Sequence, residues 1–268
     1  MNESKKAAYI HGYGFEEKER LVQQAYYWKD SLILKNLDLD NDKTLLKIGC
    51  GVGAVLGILG QEYPGLNFVG IDVEPLQLQL ADDYLKGLGL RNVNLHQGDI
   101  NKLPWNDNHF DYVYGIWILE HIKDPILPLS EVYRVLKPGG KFILTETDLK
   151  TLLVYPEHPD FDYLKEGLWA LLARNGNPYI ARRMGEQLQE IGFKNVTNEP
   201  LGFNFWHQEL QEFVDYVTKW LAPTIPQMVE QLSLEPIKLK SGLDYWQNLP
   251  NIPSSVGGII IYRCLGRK

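Results

Sequence analysis

The segment Ile48-Gly49-Cys50-Gly51-Val52-Gly53 packs three glycines into a short loop. Glycines let the backbone turn sharply and let a ligand approach with no Cβ in the way. Asp72 follows 19 residues after Gly53. A carboxylate at the end of the next strand can accept both hydroxyls of a ribose. The loop and the acid together predict a ribose-bearing ligand, against the plainer alternative of a tight turn and a solvated acid. Glu120-His121 form a second group, in which His121 could be a general base, a substrate contact or an orienting side chain. Glu146 and Asp148 stand at a third place where acids face either a cleft or water; His121 and Glu146 are the candidate catalytic residues. The spacing of His, Cys, Asp and Glu matches no metal-ligand pattern, so no metal is expected.

These residues need elements to hold them. Thr44–Ile48, Asn67–Asp72, Val93–Gln97, Phe110–Ile116 and Lys141–Thr147 read as strands, and helical stretches follow the first, second and fourth of them. Pro75 suits the first turn of a helix. Strand–helix alternation with short connections implies right-handed crossovers and a parallel sheet covered on both faces. Such sheets bind ligands at the carboxyl ends of their strands, which is where the residues above fall. An earlier helix is predicted over about 16–37, with Leu21, Ala25, Trp28 and Leu32 on one face. After residue 148, helices are expected over about 160–174, 178–191 and 208–221. A β-like run follows over 193–205, and a final strand over Val256–Cys264. The expected organisation is an N-terminal lid or helical segment (1–42) and a core (43–147). A helical substrate cap with a sixth strand follows (148–255), then a last strand completing the sheet (256–268).

Composition bounds the rest. With 268 residues, 44% hydrophobic and 23% charged, the chain is an ordinary globular protein with enough core to need no staples. A net charge of −7 argues against a nucleic-acid partner, which needs a basic field. The polar first 20 residues lack the apolar centre of a signal peptide, and no apolar run is long enough for a membrane span. Two cysteines, Cys50 and Cys264, make no disulfide framework and fit a reducing, cytoplasmic setting.

Five pieces in order resemble the class I S-adenosylmethionine-dependent methyltransferases, in their UbiE-like small-molecule branch. They are IGCGVG (48–53), VGIDVEP (69–75), QGDINKLPW (97–105), FDYVYGIWILEHI (110–122) and VLKPGGKFILTE (135–146). The resemblance implies an α/β, Rossmann-like seven-stranded sheet whose last strand is antiparallel. It also implies methyl transfer from S-adenosylmethionine to a small-molecule substrate, here taken to be partly apolar. It puts Gly49, Cys50, Gly51, Gly53, Asp72, Val73, Asp99, Ile100 and Trp117 against that cofactor. The glycines would meet its methionine part and Asp72 its ribose. Asp99 and the amide of Ile100 would meet its adenine, and Trp117 its sulfonium. Asp99 could equally make a local Asx turn, and Trp117 could be packing. The family usually carries an acid two residues before the first glycine, and here Lys47 stands there. If that side chain faces the ligand, sign reversal predicts that Lys47→Glu or Lys47→Asp tightens cofactor binding.

Two other readings compete. Gly49-x-Gly51-x-x-Ala54 loosely fits an NAD(P)-dependent Rossmann dehydrogenase, with Asp72 as the ribose acid. Tyr133 and Lys137 have the spacing of a Tyr/Lys couple, but Lys137 precedes a proline and the pair is expected at a helix end, away from the ligand. A cofactor-binding module without catalysis is the third. The cap holds Trp169, Trp206, Trp220 and Trp246, some of which should make the substrate pocket apolar. Tyr13, His121, Tyr155 and Trp169 are the candidate substrate contacts. Acceptor atom and oligomeric state stay open.

Overall fold

The computed structural model describes residues 14–268. They build a seven-stranded sheet in the order β3-β2-β1-β4-β5-β7-β6. The strands are β1 (Thr44–Ile48), β2 (Asn67–Asp72), β3 (Val93–Gln97), β4 (Phe110–Ile116), β5 (Leu136–Tyr155), β6 (Lys194–Phe205) and β7 (Val256–Arg267). The pairs among β1 to β5 are parallel, whereas β7 runs antiparallel between β5 and β6. The last strand is therefore antiparallel, as the resemblance implies. β1 starts the switch in strand order, with β2 on one side and β4 on the other, which opens a crevice at their carboxyl ends.

Helices cover both faces. α1 (Phe15–Tyr27), α2 (Ala54–Glu62) and α3 (Pro75–Gly87) pack through Ala25, Leu56, Leu59, Ala81 and Leu85 into one apolar layer. α4 (Ile126–Val135) and α6 (Met184–Ile191) pack through Leu129, Val132 and Leu188 into the other. α5 (Pro159–Ala173), α7 (His207–Leu221), α8 (Ile225–Leu232) and α9 (Pro236–Asn248) extend the first layer beyond the sheet, with Phe161 stacked on the buried Trp246.

Three elements depart from the sequence reading. The helix expected over 16–37 stops at Tyr27 and continues as a π-helical turn, Lys29–Ile33. Buried Arg263 of β7 donates to the carbonyls of Leu32 and Lys35, so a guanidinium takes the acceptors that a longer helix would have satisfied internally. β5 does not end at Thr147. It runs on to Tyr155 through an irregularity after Asp148, where Thr151 Oγ1 accepts from Ile260 N at 2.8 Å and donates to the carbonyl of Asp148 at 2.6 Å. The helix expected over 178–191 is a short 3-10 turn, Ile180–Arg183, followed by α6. α8 and α9 were not anticipated. Pro226 and Pro236 sit in their first turns, where proline is tolerated.

Gly53 shows how tightly the loop is built. It caps α2 at φ +77°, and a Cβ there would lie 3.1 Å from Ala81 Cβ on α3. Gly53→Ala is expected to destabilise the fold by about 1–3 kcal/mol, from left-handed strain and overpacking. Urea denaturation measures this, and an unchanged midpoint would contradict it. Among the described residues, no helix is long and apolar enough to cross a membrane.

Candidate functional site

A cavity of about 500 Å³ opens over the carboxyl ends of β1, β2 and β4. Gly49, Cys50, Gly51, Asp72, Val73, Asp99, Ile100, Trp117 and His121 all line it. Asp72 ends β2 and anchors the glycine loop. Its Oδ2 accepts from Gly51 N at 2.8 Å, and its Oδ1 from Glu74 N at 3.0 Å. Each oxygen keeps further acceptor capacity. A Cβ built on Gly51 would meet only Gln77 Oε1, at 3.8 Å, so the loop leaves open space above it. Gln77, in the first turn of α3, is buried and lines the cavity, and its Oε1 has no hydrogen-bond partner. An orphaned buried acceptor beside a carboxylate suits a ligand rich in hydroxyl or amine donors. Asp99 spends Oδ1 on Asn101, accepting from both its backbone and side-chain nitrogens at 2.8 Å, so the Asx turn and the cavity position coexist.

At the end of β4 the chain turns through Trp117 at φ +52°. That conformation costs an ordinary residue of order 1–3 kcal/mol. Two hydrogen bonds hold it: Trp117 N donates to the Thr145 carbonyl and Nε1 to Thr147 Oγ1, both at 3.1 Å. The next residues carry a pair of titratable groups into the cavity. Glu120 and His121 keep 15% and 29% of their side-chain area accessible, and His121 Nε2 lies 3.5 Å from Glu120 Oε1. Both line the cavity. Burial pushes the Glu120 carboxyl well above the usual carboxylate range, against the pull of Arg20. Burial, then Arg20, hold His121 down at about 4, so its imidazole is neutral at physiological pH. Arg20 of α1 is itself engaged in a forked pair with Glu17, at 2.6 Å for both bonds, and donates to Gln24 Oε1 at 2.7 Å.

Beyond this junction the walls turn apolar. α1, α5, α7, β5 and β7 contribute Ala25, Trp28, Leu149, Leu168, Phe213, Tyr216, Trp220 and Ile261. Trp220 is thus the cap tryptophan that reaches the cavity. Trp246 is core, and Trp206 is 62% exposed.

Several expected site residues lie elsewhere. Gly53 packs against α3 rather than lining the cavity. Glu146 is fully buried behind the wall. Its Oε1 accepts from the amides of Ile118 and Leu119 at 2.8 and 2.7 Å, so it holds the turn that carries Glu120 and His121. Burial and the neighbouring Glu120 charge push its carboxyl up as well. That placement suits a positioning role and not the catalytic one expected of it. Asp148 is buried on Arg182, with Oδ2 2.7 Å from Nε. Tyr155 is exposed at the far end of β5, because that strand runs on past the cleft. Trp169 donates to the Leu149 carbonyl and lies under Lys150. Neither Tyr155 nor Trp169 lines the cavity. Tyr13 lies outside the described residues. Tyr133 packs on Phe193 and Lys137 pairs with Asp111 at 2.8 Å, so a dehydrogenase-like couple does not meet the ligand space. Sequence reasoning missed Gln77 and Glu120. Gln77 looks like any polar helix residue, whereas Glu120 was quoted beside His121 and could have been weighed with it. Among the described residues no cluster of His, Cys, Asp and Glu could hold a metal ion.

A family model described as "Methyltransferase domain" matches residues 46–144. The chain is 31% identical over 146 residues to an uncharacterised methyltransferase of Schizosaccharomyces pombe, a match covering 52% of each chain. It is 32% identical over 176 residues to the demethylmenaquinone methyltransferase of Lactobacillus johnsonii, covering 60% of this chain and 72% of that one. The match thus spans about half of the first relative's length and nearly three quarters of the second's. Among solved structures, the [4+2]-cyclase SpnF superposes with a TM-score of 0.60 at 21% identity, covering 92% of this chain and 82% of that one. That likeness shows the fold alone, and a cyclase on this fold means that chemistry must be argued from the site.

Proposed function

From the premise that the chain belongs to the class I S-adenosylmethionine-dependent methyltransferases, in their UbiE-like branch, we propose that it moves a methyl group from S-adenosylmethionine to a small, partly apolar acceptor. One observation carries this reading: a single cavity joins a donor-hungry polar strip to an apolar chamber, with Trp117, Glu120 and His121 at the junction. When bound, S-adenosylmethionine supplies an electrophilic methyl group on a sulfonium, open to in-line displacement.

The residues divide the remaining work. Asp72 and Gln77 accept from the ribose and neighbouring donors, and the open space over Gly51 admits the ligand chain. Asp99 and the Ile100 amide would hold the adenine. Trp117, fixed by its two hydrogen bonds, would offer an aromatic ring to the cofactor's sulfonium. The apolar chamber seats the acceptor and excludes water, so orientation supplies much of the rate. Glu120 receives the acceptor's proton where attack requires its loss, and neutral His121 orients the acceptor by hydrogen bonding. Residues 148–255 act as the substrate cap, α1 closes the cavity from the N-terminal side, and free buried Cys50 and Cys264 suit a cytoplasmic setting.

The test is calorimetric titration with S-adenosylhomocysteine, then a screen of amphipathic acceptors against methyl-labelled cofactor. Absence of binding refutes the proposal, and binding without any transfer reduces the protein to a cofactor-binding module. Trp117→Leu sharpens it. Loss of a cation–π contact should weaken S-adenosylmethionine about 2- to 30-fold more than the uncharged thioether product. Equal losses for both ligands would remove Trp117 from the sulfonium.

A further inference from the structure

Lys47 is a cavity charge that the foregoing roles leave unused. It sits next to the end of β1, 2% exposed, and lines the cavity beside the glycine loop. Its Nζ donates to the carbonyls of Ile48 at 2.9 Å and Gly49 at 3.1 Å. An ammonium has three donors, and these two acceptors are neutral. Among the described residues, Lys47 forms no ion pair. Asp72, which accepts from the amides of Gly51 and Glu74, and Glu146, whose Oε1 accepts from those of Ile118 and Leu119 while its Oε2 has no partner, act on Lys47 through space without a direct contact. A buried ammonium that feels Asp72 and Glu146 only through space, with no direct ion pair, is costly, and a ligand anion in contact with it would offset that cost. The same geometry works against a ligand ammonium, because Nζ already occupies the loop carbonyls to which one would donate.

We propose that Lys47 binds the carboxylate of the ligand's amino-acid end, giving this cavity the reverse polarity of relatives with an acid there. The inference rests on the S-adenosylmethionine reading above. It also reverses the expectation drawn from sequence. The side chain does reach the cavity wall, but an acid in its place would face two carbonyl oxygens and repel them.

Burial holds the Lys47 ammonium down at about 8, partly offset by Cys50, Asp72 and Glu146. On β4 the neighbouring Tyr114 is pushed up to about 12 by burial, and burial also raises the Cys50 thiol, so both stay neutral near pH 8. Glu146 on β5, pushed up to about 8 by burial and then by Glu120, ionises in the same window and favours keeping the Lys47 proton. The part of the pH dependence that belongs to Lys47 is the part that Lys47→Met removes. Free Lys47 therefore loses its proton as pH rises through about 8, and a bound carboxylate would keep the proton on. Affinity for S-adenosylhomocysteine should then fall about tenfold between pH 7 and pH 9, with proton uptake on binding at pH 9.

The experiment is calorimetry at both pH values, in buffers of different ionisation enthalpy, with wild type and Lys47→Met. That substitution removes a buried charge at similar volume, so the fold should persist, and a thermal melt checks it. 5′-Methylthioadenosine, which lacks the amino-acid end, is the ligand control. The proposal expects a pH dependence and proton uptake with S-adenosylhomocysteine that are clearly larger in wild type than in Lys47→Met, the difference belonging to Lys47, and no such difference between the two proteins with 5′-methylthioadenosine. It also expects weaker binding by Lys47→Glu. Tight S-adenosylhomocysteine binding with identical pH profiles in wild type and Lys47→Met overturns the role of Lys47 and leaves the cofactor reading standing, as does tighter binding by Lys47→Glu. Failure of both ligands to bind wild type overturns the two together.

Discussion

Asp72→Ala is expected to weaken S-adenosylhomocysteine binding by about 30- to 150-fold, which corresponds to a loss of about 2–3 kcal/mol. Two effects combine. The carboxylate would accept from the ribose hydroxyls, and hydrogen bonds to a charged acceptor are worth about twice neutral ones. It also ties Gly51 N and Glu74 N to the end of β2, at 2.8 and 3.0 Å, and so holds the glycine loop in shape. Asp72→Asn separates the two. An amide retains one acceptor but points an NH₂ at one of those backbone N–H groups, so the loop anchor suffers while the polarity toward the ribose is partly kept. Calorimetry on both variants, with urea melts to report loop stability, measures each part. An Asp72→Ala protein that binds with wild-type affinity would remove the ribose assignment.

Glu120→Gln is expected to lower the rate of methyl transfer by about 10²- to 10⁴-fold for an acceptor whose proton must leave, the usual contribution of a positioned base. The pH profile is the sharper reading. Because burial raises the Glu120 carboxyl, wild-type kcat/KM should climb with pH through that raised value and level off above it. His121, held at about 4, does not titrate in the same window. The climb should vanish in Glu120→Gln. Stability runs the other way. A carboxyl raised on folding favours the protonated state, so its ionised form at pH 8 works against the fold. Glu120→Gln should therefore melt no lower than wild type at pH 8. An unchanged acid limb in the variant would assign the titration to another group, and a lower melting point would show that Glu120 is chiefly structural.

Most of the polar strip was readable before any coordinates. Glycines at a strand–helix turn and an acid ending the next strand have few other uses, so Gly49, Gly51 and Asp72 were found by type and spacing. Trp117 came from the family resemblance, and His121 from its place after the fourth strand. Glu146 misled for a related reason. Its place at a strand end was right, but β5 continues past it, and two backbone amides of a neighbouring turn claimed its oxygen. Gln77 was invisible because its interest lies in a missing partner, and a missing partner is a property of packing. The substrate residues fared worst. Trp169 and Tyr155 were chosen for their aromatic character, whereas the chamber is lined by whichever side chains the helices turn inward, including Trp28, Phe213, Tyr216 and Trp220.

The sequence by itself determined the alternation of strands and helices from residue 44 onward, the glycine turn, the acid that answers it and the net charge. Each follows from local chemistry: hydrophobic period, backbone freedom and residue type act within a few positions of one another. Only the tertiary structure decided which titratable groups meet. Arg20, Glu120 and His121 come from segments about a hundred residues apart, and packing α1 over the end of β4 brought them to one cavity wall. Lys47 makes the same point most directly. Its type and position were plain, yet whether it repels a ligand or holds one depends on the two carbonyls at its Nζ and on Asp72 and Glu146 acting on it without an ion pair among the described residues. Both are facts of three-dimensional placement. Electrostatic energy in a buried site is set by distance and dielectric, neither of which is encoded in separation along the chain.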